Sequence, residues 1–387
     1  MVLLRVVVSF ILLLLLPDWY IYRTYIKSKG NRLYGKILWF PTLALLLGLF
    51  FFVMMHDSLY RHFGIYLIVS MCFCVPKFTF MIFSLFFRGI NRLFGIRTPH
   101  ALLSFVPAVI VLCHILFGAI VGKEYFQVRE VVFAHPDIPS GFDGYRILQL
   151  SDIHSGSWKG NPEALKKAMD ICNRQNPDLA LFTGDMVNSR ADELLEFKDV
   201  FAGLKAKDGV YSVLGNHDYG TYFSWNSEAE RLANLDSLIS YENDMGWNML
   251  NNNHVIIRRG NDSIAVIGVE NSGKPPFPDY ARLDEAMKGT EGMFQILMSH
   301  DPTHWRREVL PKSDIELMLA GHTHDMQISF FGLTASSLVY PEHNGMYLED
   351  KRGLFVNIGL GYVLFPMRIG AWPEITIITL KKESADL

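Results

Sequence analysis

Acidic side chains are almost missing from the first third of this 387-residue chain. Residues 1–122 hold 11 Lys and Arg but only two acids, Asp18 and Asp57, whereas residues 123–387 hold 25 basic against 37 acidic side chains. Charge is scarce overall: 19% of residues carry it and 50% are hydrophobic, where a soluble domain usually has about a quarter charged. Cysteine is scarce too. Cys72, Cys74 and Cys113 lie in apolar stretches, and Cys172 stands alone beyond residue 122, so no internal bridge can form there. There is no internal repeat and no low-complexity linker. These absences exclude a disordered tail protein, a collagen-like rod and a small disulfide scaffold. An acidic C-terminal part without a basic block also argues against nucleic acid as a partner.

What the first third does contain is long apolar runs. A spanning helix needs about 20 mostly apolar residues. Four stretches approach this, near residues 2–22, 37–55, 63–87 and 101–121. Ile37–Met55 and Ala101–Val121 carry no acidic or basic charge. Phe63–Phe87 contains Pro76, which should kink it, and Lys77. Val2–Leu16 is short and reaches spanning length only with Trp19, Tyr20, Ile21 and Tyr22. A signal peptide is the alternative there, but Pro17-Asp18-Trp19-Tyr20 offers no small-residue cleavage site. Lys77 is expected to snorkel beside the kink, and His114 to stay neutral against a neighbouring helix. Arg23, Lys27, Lys29, Arg32 and Lys36 mark the first loop, and Arg88, Arg92 and Arg97 the third, as cytoplasmic. The domain after Val121 then faces the extracytoplasmic side.

From Val128 onward, strand-like and helix-like segments alternate, which predicts an α/β domain with layered sheets. Strands are expected at Arg146–Leu150, Leu179–Thr183, Val210–Leu214, Ile296–Ser299 and Ile315–Ala320. A helix is expected at Pro162–Gln175, with Asn161 as its cap. Five times an apolar run stops and a ligand-type residue follows: Asp152 and His154, Asp185, Asn216 and His217, His300, and His322 and His324. Of nine histidines after residue 122, five fall in these positions. Ligands of open α/β sheets gather outside the carboxyl ends of strands, so these side chains are expected in one crevice. Oxygen and imidazole donors without cysteine suit two divalent cations, manganese first, with iron or zinc as alternatives. Such a pair can generate hydroxide at neutral pH and stabilise an in-line displacement at phosphorus. Asp185, alone on its loop, is the natural bridge.

Asp152-Ile153-His154, Gly184-Asp185, Gly215-Asn216-His217-Asp218, Ser299-His300 and Gly321-His322-Thr323-His324 resemble the signature blocks of the calcineurin-like metallophosphoesterases. Leu150-Ser151-Asp152-Ile153-His154 and Arg368–Ile375 look like the membrane-anchored bacterial phosphodiesterase branch. The resemblance implies a four-layer α/β/β/α sandwich over residues 123–387, preceded by about four transmembrane helices in residues 1–122. It implies that Asp152, His154 and His324 bind one metal, that Asp185 bridges, and that Asn216, His300 and His322 complete the second. His217 would be the general acid, oriented by Asp218, and Arg368 could clamp a substrate phosphate. Where the branch usually has Gly-Gly-Gln after the last histidine, this chain has Asp325-Met326-Gln327, which reshapes the pocket wall. Trp158 could be a lid or stacking group, or ordinary packing.

The reading is a membrane-anchored phosphoesterase that hydrolyses a phosphodiester or pyrophosphate, a lipid-linked one included, by attack of a metal-bound hydroxide. The partners expected are the bilayer and the substrate, with no obligate protein partner. The rivals are a non-catalytic membrane sensor or scaffold, and a cytoplasm-facing nucleotide-lipid pyrophosphatase.

Overall fold

The computed structural model describes residues 2–27, 30, 32–54 and 56–383; Lys29 and Met55, counted above in the first loop and second span, lie outside them. The chain divides into two units: Met1–Gly122 with Leu364–Met367, and Lys123–Val363 with Arg368–Leu387.

The first unit contains α1 (Val2–Ile21), α2 (Arg32–Met54), α3 (His56–Phe94) and α4 (His100–Ile120). In lipid the backbone must satisfy its own hydrogen bonds, so apolar runs of this length become helices. Among the described residues, three stretches are long and apolar enough to cross a membrane: Leu33–Phe52, His62–Phe94 and His100–Glu124. The first helix has 20 residues, runs through Pro17 and continues as a π-helical turn over Tyr22–Ile26. α3 continues through Pro76 for 39 residues, so this proline does not end the span.

Lys77 departs from the expected snorkelling. Its Nζ lies 2.6 Å from Asp18 Oδ1 and 2.9 Å from Thr42 Oγ1, and Thr42 also donates to Asp18. Asp18 is fully buried. A cation and an anion that must both sit at membrane depth lower their cost by pairing. His114 differs as well: it is exposed, and its Nδ1 meets the Ile110 carbonyl of its own helix at 2.8 Å. Lys77→Met should strand the Asp18 charge and destabilise the helical unit by roughly 3–5 kcal/mol. The double variant Asp18→Asn/Lys77→Met should recover most of that loss. Thermal unfolding of the full chain in nanodiscs checks this; equal losses in both variants would show the pair to be energetically idle.

The second unit is built on two six-stranded sheets. The first contains β1 (Gln127–His135), β2 (Arg146–Leu150), β3 (Leu179–Phe182), β4 (Val210–Ser212), β5 (Trp247–Met249) and β14 (Glu374–Lys382), in the order β1-β14-β2-β3-β4-β5. The second contains β6 (Asn253–Arg259), β7 (Asp262–Gly268), β8 (Phe294–Met298), β9 (Leu317–Ala320), β12 (Gly345–Glu349) and β13 (Arg352–Val356), in the order β12-β13-β9-β8-β7-β6. β10 (Ser329–Phe330) and β11 (Leu333–Thr334) form a separate small hairpin. Ile147, Leu179 and Ile378 from one sheet interlock with Ile264, Ile296 and Leu317 from the other. On the outer face of the first sheet, α5 (Pro162–Arg174) and α6 (Glu228–Asp244) cover Leu148, Phe182 and Trp247. On the outer face of the second, Leu283, Trp305 and Val309 cover Ile267, Leu297 and Met318. The result is the expected α/β/β/α order of layers.

Continuous apolar runs form the central strands because both faces of each sheet are covered. Pairs β2–β3, β3–β4, β7–β8 and β8–β9 are parallel. The carboxyl ends of β2, β3, β4, β8 and β9 therefore open on one edge. Asn161 precedes α5 as expected, but its side chain makes no cap; it donates to Glu124 Oε1 at 2.9 Å.

Candidate metal centre

The loops after those five strands carry every ligand-type residue singled out in the sequence. Strand polarity alone brings Asp152 and His154 (after β2), Asp185 (after β3), Asn216 and His217 (after β4), His300 (after β8), and His322 and His324 (after β9) to that edge. His154 Nε2 lies 3.0 Å from His324 Nε2, and His324 Nε2 lies 3.2 Å from Asp152 Oδ1. Asp185 Oδ2 is 3.6 Å from His154 Nε2 and 3.2 Å from His300 Nε2. His300 Nε2 in turn is 3.3 Å from His322 Nδ1.

Three groups of donor atoms result, each within 4.8 Å: Asp152, His154 and His324; His154, Asp185 and His217; and Asp185, His300 and His322. They share members, so they form one chain of donors rather than three sites. The residues fit divalent cations on a further ground. Asn216 is buried, its Nδ2 donates to Tyr222 OH at 2.9 Å, and its Oδ1 has no hydrogen-bond partner. A partnerless buried amide oxygen is costly unless something electropositive meets it.

The backbone is shaped for this convergence. Asp152, His154, Asp185, His322 and His324 all have φ between +50° and +74°. Non-glycine residues seldom adopt that region, and strain of this kind concentrates at functional sites. Two close approaches demand glycine. A Cβ on Gly215 would lie 2.2 Å from Asp185 Oδ1, and one on Gly321 would lie 2.4 Å from Asp152 Oδ2.

Burial opposes charge on all these groups, and attraction between them decides which stay ionised. Neighbouring imidazoles hold Asp185 well below the usual carboxylate range, against its burial. His300 is pushed up to about 10 because Asp185 and Asp152 outweigh its burial. For His154 burial wins, with the His217 ring beside it, and its pKa falls well below the ordinary imidazole value. His324 is also lowered by burial, and the Arg368 charge adds to the shift.

Two residues have other partners than their expected roles require. Arg368, expected to clamp a substrate phosphate, is turned inward. Its guanidinium is fully buried and donates to the carbonyls of Ile358, Gly361 and Ala371 and to His324 Nδ1 at 3.1 Å. Carbonyls of a tight loop absorb a charge that in sequence looks available, and Arg368 positions the His324 ring instead. Asp218 does not orient His217. Its carboxylate accepts four backbone N–H bonds, from Asp185, Met186 and Gly215 at 2.8 Å and from Val187 at 3.2 Å. It therefore staples the β3 and β4 loops together.

The group that does orient His217 is the Asn188 carbonyl, 2.8 Å from Nδ1. Tyr222 stacks on the other side, with ring centroids 4.2 Å apart. With Nδ1 held, Nε2 remains for the cleft. Tyr340 OH meets His322 Nε2 at 2.9 Å. Nothing in the sequence marked a backbone carbonyl, although the aromatic run Tyr219–Trp225 could have drawn notice. Trp158 is packing: it is buried and donates to the Ile153 carbonyl at 3.0 Å.

A family model described as "Calcineurin-like phosphoesterase" matches residues 145–326. The chain is 32% identical over 254 residues to the uncharacterized metallophosphoesterase YkuE of Bacillus subtilis, across 63% of this chain and 82% of that protein. The chain belongs to the calcineurin-like metallophosphoesterases. A second model, described as "Probable Calcineurin-like phosphoesterase, transmembrane domain", matches residues 4–123, so this metallophosphoesterase is also a membrane protein. It is 28% identical over 387 residues to the uncharacterized metallophosphoesterase Cj0846 of Campylobacter jejuni, covering 96% of this chain and 98% of that one. It is 29% identical over 277 residues to a transmembrane protein with metallophosphoesterase domain from Danio rerio, covering 69% of this chain and 60% of that relative's length.

The Asp325-Met326-Gln327 departure has a physical signature in this metallophosphoesterase. All three residues are left-handed, with φ of +49°, +48° and +62°. Asp325 is compensated through His343 Nδ1 at 2.9 Å and Asn344 Nδ2 at 3.3 Å. Met326 is 38% exposed and has no such compensation. Met326→Gly should therefore stabilise the chain by about 1 kcal/mol and raise its thermal midpoint. A lowered midpoint would assign the stability to the methionine side chain instead.

Proposed function

We propose that this metallophosphoesterase is a two-metal hydrolase of phosphodiesters or pyrophosphates. One observation carries the reading: Asp185 Oδ2 stands between His154 Nε2 and His300 Nε2 and so joins two donor clusters through a single carboxylate oxygen. Asp152, His154 and His324 would hold one cation, Asn216, His300 and His322 the other, and Asp185 both. The donor set contains no thiolate, which suits manganese, with iron or zinc as alternatives. Such a pair supplies positive charge at the phosphoryl oxygens and acidifies a water for in-line attack.

The chain's own residues do the rest. His217, held through Nδ1 by the Asn188 carbonyl and stacked on Tyr222, presents Nε2 as the proton donor. As water attacks phosphorus and the ester P–O bond breaks, that proton goes to the leaving oxygen. Asp218 and Arg368 keep Asp185 and His324 in place. The loop charges support an extracytoplasmic catalytic domain, and the membrane anchor favours a lipid-linked or membrane-near phosphoester.

The test is turnover of bis-p-nitrophenyl phosphate by the full chain in nanodiscs, with and without added Mn and after chelation. Chelator-sensitive hydrolysis restored by Mn is expected. A chain inert toward diesters, monoesters and pyrophosphates under all these conditions would favour the scaffold reading. A C-terminal reporter fusion that signals from the cytoplasm would reverse the sidedness.

A further inference from the structure

Beside the metal centre lies a surface that hydrolysis does not use. Between Asp325 and Glu342 the chain has no charged residue. That segment contains the β10–β11 hairpin and the turn after it, and its large apolar side chains point outward. Phe331 is 105% exposed, Leu338 88%, Leu333 78%, Val339 59% and Phe330 49%. Five such residues within one uncharged segment concentrate apolar surface, and concentrated apolar surface marks a contact with something apolar. Yet the segment is tied down at each end. Thr334 Oγ1 donates to the Asp325 carbonyl at 2.7 Å, Ser329 N to the Ile369 carbonyl at 2.7 Å, and Tyr340 OH meets His322.

The occupant is indicated by where the chain leaves the membrane. α4 ends at Ile120 and β1 begins at Gln127, so only six residues separate a spanning helix from the first sheet. Within those six, Lys123 Nζ lies 5.9 Å above the Tyr362 ring and Tyr125 packs edge-on against Trp372 at 5.5 Å. Tyr and Trp with a lysine are the side chains that favour the headgroup level of a bilayer. In the sequence Tyr362 and Trp372 stand on either side of Ile369, which pairs with Ile328 at the base of the apolar hairpin. Residues 121–126 after α4 thus connect along the chain to the aromatic pair, Trp372 stands three residues after Ile369, Ile369 bridges to the hairpin, and Tyr340 reaches His322.

We propose that the 328–340 segment is a bilayer-inserting lip, and that the substrate is an amphiphile whose phosphoester reaches the metal centre from the membrane interface. This rests on the phosphoesterase reading for the substrate, and not for the insertion. Phe330, Phe331, Leu333, Leu338 and Val339 enter the headgroup–acyl boundary, and Tyr340 couples that contact to His322.

The experiment uses the full chain in vesicles of phosphatidylcholine and phosphatidylglycerol. Phe331→Cys, in a background where Cys72, Cys74, Cys113 and Cys172 are replaced by serine, carries an environment-sensitive fluorophore. Quenching by doxyl-labelled lipid and shielding from iodide are expected. A label open to iodide and untouched by doxyl lipid overturns the lip, whatever the enzyme hydrolyses. Shielding from iodide without lipid quenching also overturns it, in favour of a second copy or another protein. In the second arm, Phe330, Phe331, Leu333 and Leu338 are changed together to serine. Hydrolysis of vesicle-borne phosphatidyl-p-nitrophenol should fall about tenfold or more, while hydrolysis of soluble bis-p-nitrophenyl phosphate stays unchanged. Equal loss on both substrates would overturn the substrate assignment. No hydrolysis of either by the unaltered chain would sink the phosphoesterase reading while the quenching result still decides insertion.

Discussion

Asp185→Asn should abolish hydrolysis and empty the centre of metal. The substitution keeps the shape of the side chain, so the fold and the Asp218 staple should survive it. What changes is the charge between His154 Nε2 and His300 Nε2, where Asp185 Oδ2 stands 3.6 and 3.2 Å away. A neutral amide in the same place bridges two dications poorly, and its NH2 can point donors at nitrogens that should face metal. Cations contribute several kcal/mol to transition-state charge stabilisation, so turnover should fall ~10³-fold or more. Metal content by mass spectrometry should fall with it. Retention of two ions per chain with near-normal turnover would refute the bridging role.

His217→Ala should separate the two effects. Metal content should remain that of the unaltered chain, because His217 is held by Asn188 and Tyr222 rather than needed to complete either proposed ligand set. The rate should fall roughly 10²- to 10⁴-fold, the usual contribution of a positioned acid. The loss should grow as the leaving group becomes more basic, since an alkoxide needs the proton more than a nitrophenolate does. Comparing a methyl ester with a nitrophenyl ester of one phosphodiester reads this directly. A loss independent of the leaving group would assign His217 to metal binding, and metal content would fall in parallel.

The donor set was legible in the sequence because its chemistry conflicts with its setting. Gly215-Asn216-His217-Asp218 directly after Val-Tyr-Ser-Val-Leu makes a poor core, and a polar residue at the end of a buried parallel strand has few structural uses. Layered sheets followed from the strand–helix alternation, whereas the α/β/β/α order came from the resemblance. Roles fixed by backbone atoms were not legible. Asp218 binds four N–H groups from two loops, and His217 leans on a carbonyl, neither of which leaves a side-chain pattern. Arg368 read as an available charge because nothing in a linear string shows three carbonyls closing on it. Lys77 found Asp18 from 59 residues away, a pairing set by helix packing. The two-residue strands of the β10–β11 hairpin are too short to produce a periodicity.

The Asp218 staple bears on how the proposed cations would be taken up. Because one carboxylate ties Asp185 and Gly215 together through main-chain amides, the chain itself holds the proposed ligands Asp185 and Asn216 in register. Stripping the proposed cations should then leave both loops in place. The identity of the resident cations should track their availability at the moment of exchange, and a chain produced without them should be revived by simple addition.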